Sequence, residues 1–549
     1  MTLVKRTAYQ EGDTDAKICF VAEAPGGTEV SLGRPLVGPS GRLFDECLHQ
    51  AGLVRSESHI LNLFDRRLTR DRVGKTITDE IGDIVWTDRG GFTQHAEPYF
   101  RRFHKRLAKS QANVVVPMGG LPFEALTGKQ GILKWRGSIL RGEYADNRKV
   151  IGTIHPAAVL RGNYTWRYLI INDLEKIKRH CDNSRIILPK RNIIIEPSYE
   201  DTLGFLSSLG SAKQVAFDIE ITNEQVSCIS FSRDPSEAIS VPLMRSMVNS
   251  YWRPSQEAAI WSAIQKVLRN PAAKKVNQNI LFDIHVLWYK NAIDCDISAG
   301  LGDPMVAHHI IYPDFNKGLD LICSVCTDEP YYKDEGKTWR YVKDWPQFWA
   351  YNAKDAAVAL ECWNALEPIL DEEGYRTTYD IHMANIPWML YFMDDGFQID
   401  TERFDYVDRK VADDLERLEA EFLEKADYEF NYNSAAQAKK YFYEHKGIKP
   451  YVSTKTRKPT CDDKALARIA RRYNLHEARL IQEMKKLRKF KGSYLKLQFD
   501  PDHKFRCSVN IRGTKNGRAS MGKTVFGTGS NMQNLPERFQ DFLGVDKDG

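Results

Sequence analysis

Several absences narrow the class of this 549-residue sequence before any motif is read. No run of 18 or more apolar residues occurs, so no membrane-spanning helix is expected. The N-terminus, MTLVKRTAYQEGDTD, has no apolar core of the secretory kind. The 10 cysteines are scattered. Only Cys323 and Cys326 form a CxxC, and no second pair stands at zinc spacing, which reads as reduced thiols in a cytoplasmic compartment. Internal repeats and low-complexity tracts are missing as well. Net charge is a modest +5, but it is unevenly laid out. From Asn431 to Gln540 there are 25 Lys/Arg against 8 Asp/Glu, whereas Asp371 to Phe430 carries 6 against 18. A basic block about a hundred residues long, interleaved with Tyr, Phe and Gly, attracts a polyanion and favours nucleic acid over a merely solvated face.

The chain is too long for one ordinary core. Three textures separate along it. Residues 1–185 alternate short apolar runs (KICFVAEA, NVVVPMGG, KVIGTIHP) with helical stretches, an α/β pattern. The polar passage CDNSRIILPKRNIIIEPSYED reads as a linker. Residues 192–370 form a second α/β set, and 375–549 turn helical and highly charged.

The strongest chemical signal lies in the second segment. QVAFDIEI carries Asp218 and Glu220 two apart, on one face of a strand. Carboxylates so placed repel, and a cation holds them together. VNQNILFDIHVL adds Asn279, Phe282 and Asp283, and YNAKDAAVALECW adds Tyr351 and Asp355 on one helical face. Each motif is weak alone, but the three in this order resemble the DnaQ-like 3′–5′ exonucleases, particularly the proofreading domain of family A DNA polymerases. The resemblance implies that Asp218, Glu220, Asp283 and Asp355 hold two Mg²⁺ or Mn²⁺ ions for phosphodiester hydrolysis. It also implies that Tyr351 orients the attacking water, and that Asn279 and Phe282 shape the site for a single-stranded 3′ end.

In the third segment, KKLRKFKGSYLKL is a Lys/Arg-rich helix, and NGRAS followed by NMQNLP resembles the TGRLSS…PNLQNIP signature of family A polymerases, with Ala519 in place of Leu. By that resemblance Arg518, Asn531, Gln533 and Asn534 touch primer–template duplex. Lys485, Lys486, Arg488, Lys489 and Lys491 meet its backbone. The family's first polymerase aspartate, its fingers helix and its later acids do not follow. The expectation is a thumb and partial palm whose catalytic residues come from a second polypeptide, or a cut at the same point.

The first segment opens KICFVAEAPGGTEVSLGRPLVGPSGRLF, which is similar to the family 4 uracil-DNA glycosylases (GEAPGxxE…GxPFVGxxG); VVVPMGG and TIHPAAVLRG extend the match. By this resemblance Glu23 and Glu29 are the acids, His155 stabilises a departing uracil anion, and Asn62 reads the uracil edge. Ala22 and Leu36 depart from the motif, Leu36 replacing the Phe that stacks on a flipped base. The family's four cluster cysteines are missing, so no iron–sulfur cluster is expected. Uracil excision, scanning or binding of template DNA, and a structural relic all stay open.

Together these expectations describe a multidomain α/β replication protein. A glycosylase-like α/β sandwich precedes an RNase H-like (DnaQ) exonuclease with a mixed sheet, and a mainly helical polymerase thumb with partial palm follows. The fusion suggests a bacteriophage genome and host cytoplasm. Two other classes remain: a stand-alone exonuclease of DNA repair or RNA processing with a nucleic-acid-binding tail, and a non-enzymatic DNA-binding scaffold.

Overall fold

A computed structural model describes residues 10–336, 341–454 and 456–544. They divide into two compact units, residues 1–384 and 385–549.

The first unit contains both α/β bodies. In the N-terminal body the run ICFVA forms the strand Ile18–Ala22, buried at every position. A strand apolar on both faces belongs in the middle of a parallel sheet covered on two sides. Ile18–Ala22 accordingly pairs in parallel with Ser58–Asn62 and with Val114–Pro117. Lys149–Ile151 continues the sheet in parallel, and the short strands Gln10–Glu11 and Ile139–Arg141 close its two edges antiparallel. Phe44 and Leu48 of helix Pro39–Gln50 and Leu174 and Ile177 of helix Trp166–His180 cover one face. Phe103 and Leu107 of helix Glu97–Leu107 cover the other.

The second body has a six-stranded mixed sheet in the order Asn192–Ile194, Glu237–Pro242, Gln225–Asp234, Gln214–Thr222, Lys274–Val276, Leu301–Gly302. Gln214–Thr222 and Gln225–Asp234 form a hairpin around Asn223 and Glu224, both at positive φ (50° and 61°), the twist a two-residue turn requires. Helix Trp345–Glu372 lies across the sheet, where the small side chains of Ala353 and Ala357 pack on Ala238 and Ile193. The passage read as a linker supplies the edge strand Asn192–Ile194, and Arg191 pairs with Glu329 and Glu361. Three residues are too few to show alternation in sequence.

The two bodies meet through buried polar groups. Arg136, 1% exposed, pairs with fully buried Asp173 and donates to Ser324 Oγ at 2.8 Å. Lys176 Nζ donates to the carbonyls of Ser324 (2.8 Å) and Thr327 (2.6 Å). Buried charges of this kind are tolerated only when fully hydrogen-bonded.

The second unit is mainly helical. Val411, Leu415, Leu418 and Phe422 of helix Thr401–Lys425 share a core with Leu480, Ile481 and Met484 of helix His476–Ser493 and with Leu466 and Ile469 of helix Asp463–Tyr473. Phe397–Gln398 pairs antiparallel with Lys504–Phe505, and Ser508–Asn510 with Ser520–Gly522. Gly529 (φ 67°) fits where a Cβ would stand 1.7 Å from the Arg506 carbonyl, so only glycine closes that turn. Among the described residues no helix is long and apolar enough to cross a membrane.

Candidate active site

In the second α/β body, strand alternation and helix spacing converge. Asp218 and Glu220 project from one face of strand Gln214–Thr222. Asp355 faces them from helix Trp345–Glu372, and a carboxylate oxygen from each of the three lies within 4.8 Å of the others. Asp283 stands on helix Ile280–Asn291, packed against the same strand; its Oδ1 accepts the Ile219 N–H at 3.1 Å. The start of that helix is fixed by Asp303, whose carboxylate accepts the N–H groups of Asn279 and Ile280, both at 3.1 Å. Asn279 itself adopts φ 68°, a conformation asparagine tolerates, and Phe282 is half-buried one turn on. Tyr351 is buried one helical turn before Asp355.

Burial pushes Asp218, Glu220 and Asp283 up. Desolvation first, then the neighbouring Asp355, raises Glu220 to about 8. Desolvation likewise raises Asp283 to about 8, against the Ile219 N–H that opposes the shift. Asp218 is pushed well above the carboxylate range by burial and by the charges of Asp355, Asp283 and Glu220. Burial also raises the Tyr351 phenol, reinforced by Asp355. Such a cluster cannot carry its full charge without cations.

Sequence reasoning missed three residues here. Asn352, fully buried, donates to Asp218 Oδ2 at 2.9 Å and accepts from Ser240 Oγ at 2.9 Å, which locks its amide. Tyr332 donates its hydroxyl to Asp355 Oδ1 at 2.6 Å, and Lys333 Nζ reaches Asp355 Oδ2 at 2.5 Å. Lys333 also lies 4.6 Å from the centre of the Tyr351 ring. Asn352 adjoins a motif residue and was within reach; Tyr332 and Lys333 come from a loop without periodicity.

In the first body the sequence-expected residues gather around the ends of the parallel strands. Glu23 follows strand Ile18–Ala22, and both its oxygens accept Arg70 Nη2 at 2.7 Å. Glu29, only 7% exposed, accepts the N–H groups of Val37 (3.1 Å) and Gly38 (2.7 Å) on its Oε1, which holds that loop. Arg55 clamps the same loop through the carbonyls of Pro35 and Leu36. Leu36 adopts φ 49° and joins the core with Leu43 and Phe44. Asn62 is buried at the end of its strand. His155 caps helix Pro156–Leu160, its Nδ1 accepting the Ala157 N–H at 3.1 Å. Desolvation holds His155 below its usual range, so it is neutral near pH 7. With Nδ1 accepting, the network assigns the ring proton to Nε2. Gly119 (φ 93°) lets the adjoining loop approach the His155 Cβ.

In the second unit the two halves of the Asn/Gln-rich signature meet. Gln533 Nε2 donates to the Ala519 carbonyl at 3.1 Å, tying the turn Met532–Asn534 to the hairpin of Arg518. Asn531 caps that turn, its Oδ1 accepting the Gln533 N–H at 2.9 Å; Arg518, Gln533 and Asn534 are exposed. On helix His476–Ser493, Lys486 and Lys489 are exposed and Lys485 is half-buried. Arg488 pairs with Glu419 and lies 5.1 Å from the Tyr432 ring centre, and Lys491 is 3.9 Å from Asp408. The helix packs against acidic Thr401–Lys425, which supplies both of these acidic partners.

Comparison with known proteins gives three family matches along the chain. Residues 9–175 match the profile of the uracil DNA glycosylase superfamily. The type-4 uracil-DNA glycosylase of Thermotoga maritima is 31% identical over 169 residues, 31% of this chain and 79% of that protein. Through its first third, the chain belongs to the uracil-DNA glycosylase superfamily. Beyond this glycosylase-superfamily domain, residues 197–371 match the 3′–5′ exonuclease profile and residues 401–544 that of DNA polymerase family A. DNA polymerase I of Pseudomonas aeruginosa is 25% identical over 363 residues, 62% of this chain; the chain spans 38% of that protein's length. The POL domain of Pol1 from M. smegmatis, in complex with DNA primer-template and dNTP, superposes with a TM-score of 0.52 at 14% identity, covering 65% of this chain and 59% of that one, a likeness of fold alone. The order of domains behind the glycosylase-superfamily domain is that of a polymerase I-like protein.

Proposed function

We propose that the chain is a divalent-metal-dependent 3′–5′ exonuclease that removes nucleotides from DNA 3′ ends, joined to a unit that grips primer–template duplex. The observation that carries this reading is the convergence of Asp218, Glu220 and Asp355 within 4.8 Å. Asp283 is packed behind the same strand, and burial raises Glu220 and Asp283 to about 8, so both hold protons near neutral pH unless a cation joins them. A donor set of carboxylate oxygens fits Mg²⁺ or Mn²⁺, which when bound activates water and neutralises the phosphate. Asp218, Glu220, Asp283 and Asp355 would hold it. Asn352 fixes the direction of Asp218, and Tyr351 stands one turn from Asp355 to orient a water. Residues 385–544 contribute duplex contacts through Arg518, Asn531, Gln533 and Asn534. Polymerisation itself is assigned to none of the residues described.

The test is release of 3′ nucleotides from a labelled single strand with Mg²⁺ or Mn²⁺. Alanine at Asp218 or Glu220 is expected to abolish it. Degradation that survives both changes, or that never needed metal, sinks the reading. A ribose strand digested faster than its deoxyribose counterpart would favour RNA processing instead.

Uracil excision is the second reading, favoured by the neutral His155, whose Nε2–H would donate to a departing uracil oxygen. Abasic product from uracil-containing single- and double-stranded oligonucleotides tests it; none at stoichiometric protein rules it out.

A further inference from the structure

The segment Tyr331–Asp334 has two faces. Tyr332 and Lys333 reach Asp355, as described. The residues on either side of them are held by the glycosylase-superfamily domain. The Tyr331 N–H donates to Ser138 Oγ at 3.0 Å, and its ring meets Trp135 edge-on at 5.0 Å. Asp334 Oδ2 takes Lys134 Nζ at 2.6 Å, and its Oδ1 accepts the Tyr331 hydroxyl at 3.0 Å. Lys134 also sits 5.3 Å from the Tyr331 ring centre. Immediately upstream, Arg136 and Lys176 grip Ser324 and Thr327. Lys134 and Trp135 stand on the short helical turn Ile132–Trp135 of the first body, and Arg136–Ser138 follow it.

We infer that the glycosylase-superfamily domain is a working part of the exonuclease site: by holding Tyr331 and Asp334 it seats Tyr332 and Lys333 on Asp355. The inference rests on the exonuclease reading above. Tyr332 and Lys333 touch a carboxylate rather than the reacting atoms, so they are positioning residues. Among the described residues, the second body itself stiffens their loop with the short turn Lys333–Gly336 and with Lys354, which meets Glu335 at 3.5 Å and lies 4.7 Å from the Tyr332 ring centre. The contacts from the neighbouring domain fall on Tyr331 and Asp334, directly on either side of the two residues that meet Asp355. Without them the pair is held less tightly, and a site held loosely by even an ångström loses much of its rate.

The experiment uses the full chain and a 5′-labelled single-stranded DNA with Mg²⁺. Trp135→Ala and Lys134→Met are each expected to lower kcat by about tenfold with KM unchanged, because neither touches the strand. Lys134→Arg retains the rate. Amide exchange of residues 329–336 rises in the two damaging variants, with the melting transition preserved. In a Tyr332→Phe/Lys333→Met background, Trp135→Ala adds no further loss, since both act through one contact. A wild-type rate in both Trp135→Ala and Lys134→Met, or losses that multiply with the Tyr332/Lys333 change, overturns the inference. A wild-type chain that digests nothing instead sinks the exonuclease reading, and the exchange measurement then decides alone whether the first domain orders this loop.

Discussion

The exonuclease cluster and the glycosylase-like site both gather acids around strand ends, but they dispose of the charge in opposite ways. In the first body each acid already has its partner. Glu23 is neutralised by Arg70, and Glu29 is absorbed by two backbone N–H groups. In the second body the described residues bring Lys333 to Asp355, while Glu220 and Asp283 hold their protons up to about 8. Satisfied acids stabilise a loop; acids left in excess wait for a ligand. The difference teaches that counting carboxylates is a weaker guide than asking what already neutralises them.

The sharpest way to break this comparison is to remove one acid from each site. Asp218→Asn is expected to cut nuclease turnover on the order of a hundredfold or more, while the metal-free protein melts no lower. Glu29→Gln should do the reverse. Nuclease turnover stays, and stability falls by about 1–3 kcal/mol as the Val37 and Gly38 N–H groups lose their charged acceptor. Calorimetry beside a gel assay reads both. Equal melting losses in the two variants would erase the distinction.

A second break falls within the first body. If uracil is excised at all, His155→Ala should lower abasic-site formation by about a hundredfold, because Nε2–H is the group left free to donate. Oε1 of the other acid, Glu29, already holds two loop N–H groups, so Glu29→Gln is expected to lower stability and to affect excision less than His155→Ala. A His155→Ala variant that excises uracil at the parental rate removes His155 from the chemistry.

How much of this was legible in sequence follows from the range of each contact. Asp218 with Glu220, and Tyr351 with Asp355, are read from local periods of two and four. Asp283 needed the family pattern, since only its packing on Ile219 brings it to the strand. Tyr332, Lys333 and the Lys134–Ser138 stretch that holds them are joined by contacts between residues about 200 apart in sequence, which no local pattern encodes. The α/β textures of both bodies were visible because buried parallel strands are continuous apolar runs. Their fusion into one unit through Arg136, Asp173 and Lys176 was not, since a buried ion pair looks in sequence like any surface charge.

The metal-free cluster also makes stability depend on pH. Glu220 and Asp283 are raised to about 8 from ordinary values of 4.5 and 3.8. Between those limits the folded chain binds more protons than the unfolded one. The stabilisation is complete below the ordinary values and is lost as pH rises through about 8. The transition of residues 1–384 should therefore drop on the order of 5 °C between pH 5 and pH 8 in chelator. Saturating Mg²⁺ or Mn²⁺ should flatten the slope, because the cation binds the ionised form. A slope unchanged by metal, or one that Glu220→Gln leaves intact, would place the shifted acids elsewhere.

The smallest effect separates two kinds of basic residue on one helix. Lys486 and Lys489 are exposed, whereas Arg488 is paired with Glu419 and stacked near Tyr432. A cation that meets phosphate releases counterions, so each free lysine should contribute about one unit to the slope of log affinity for duplex DNA against log salt. Lys486→Ala and Lys489→Ala are expected to lower that slope by about one each. Arg488 brings no such release, because its charge is already spent on Glu419. Arg488→Ala should leave the slope unchanged and loosen the packing of helix His476–Ser493 on Thr401–Lys425. If Arg488→Ala lowers the slope as the lysines do, then DNA draws it away from Glu419, and the acidic helix is a resting partner that nucleic acid displaces.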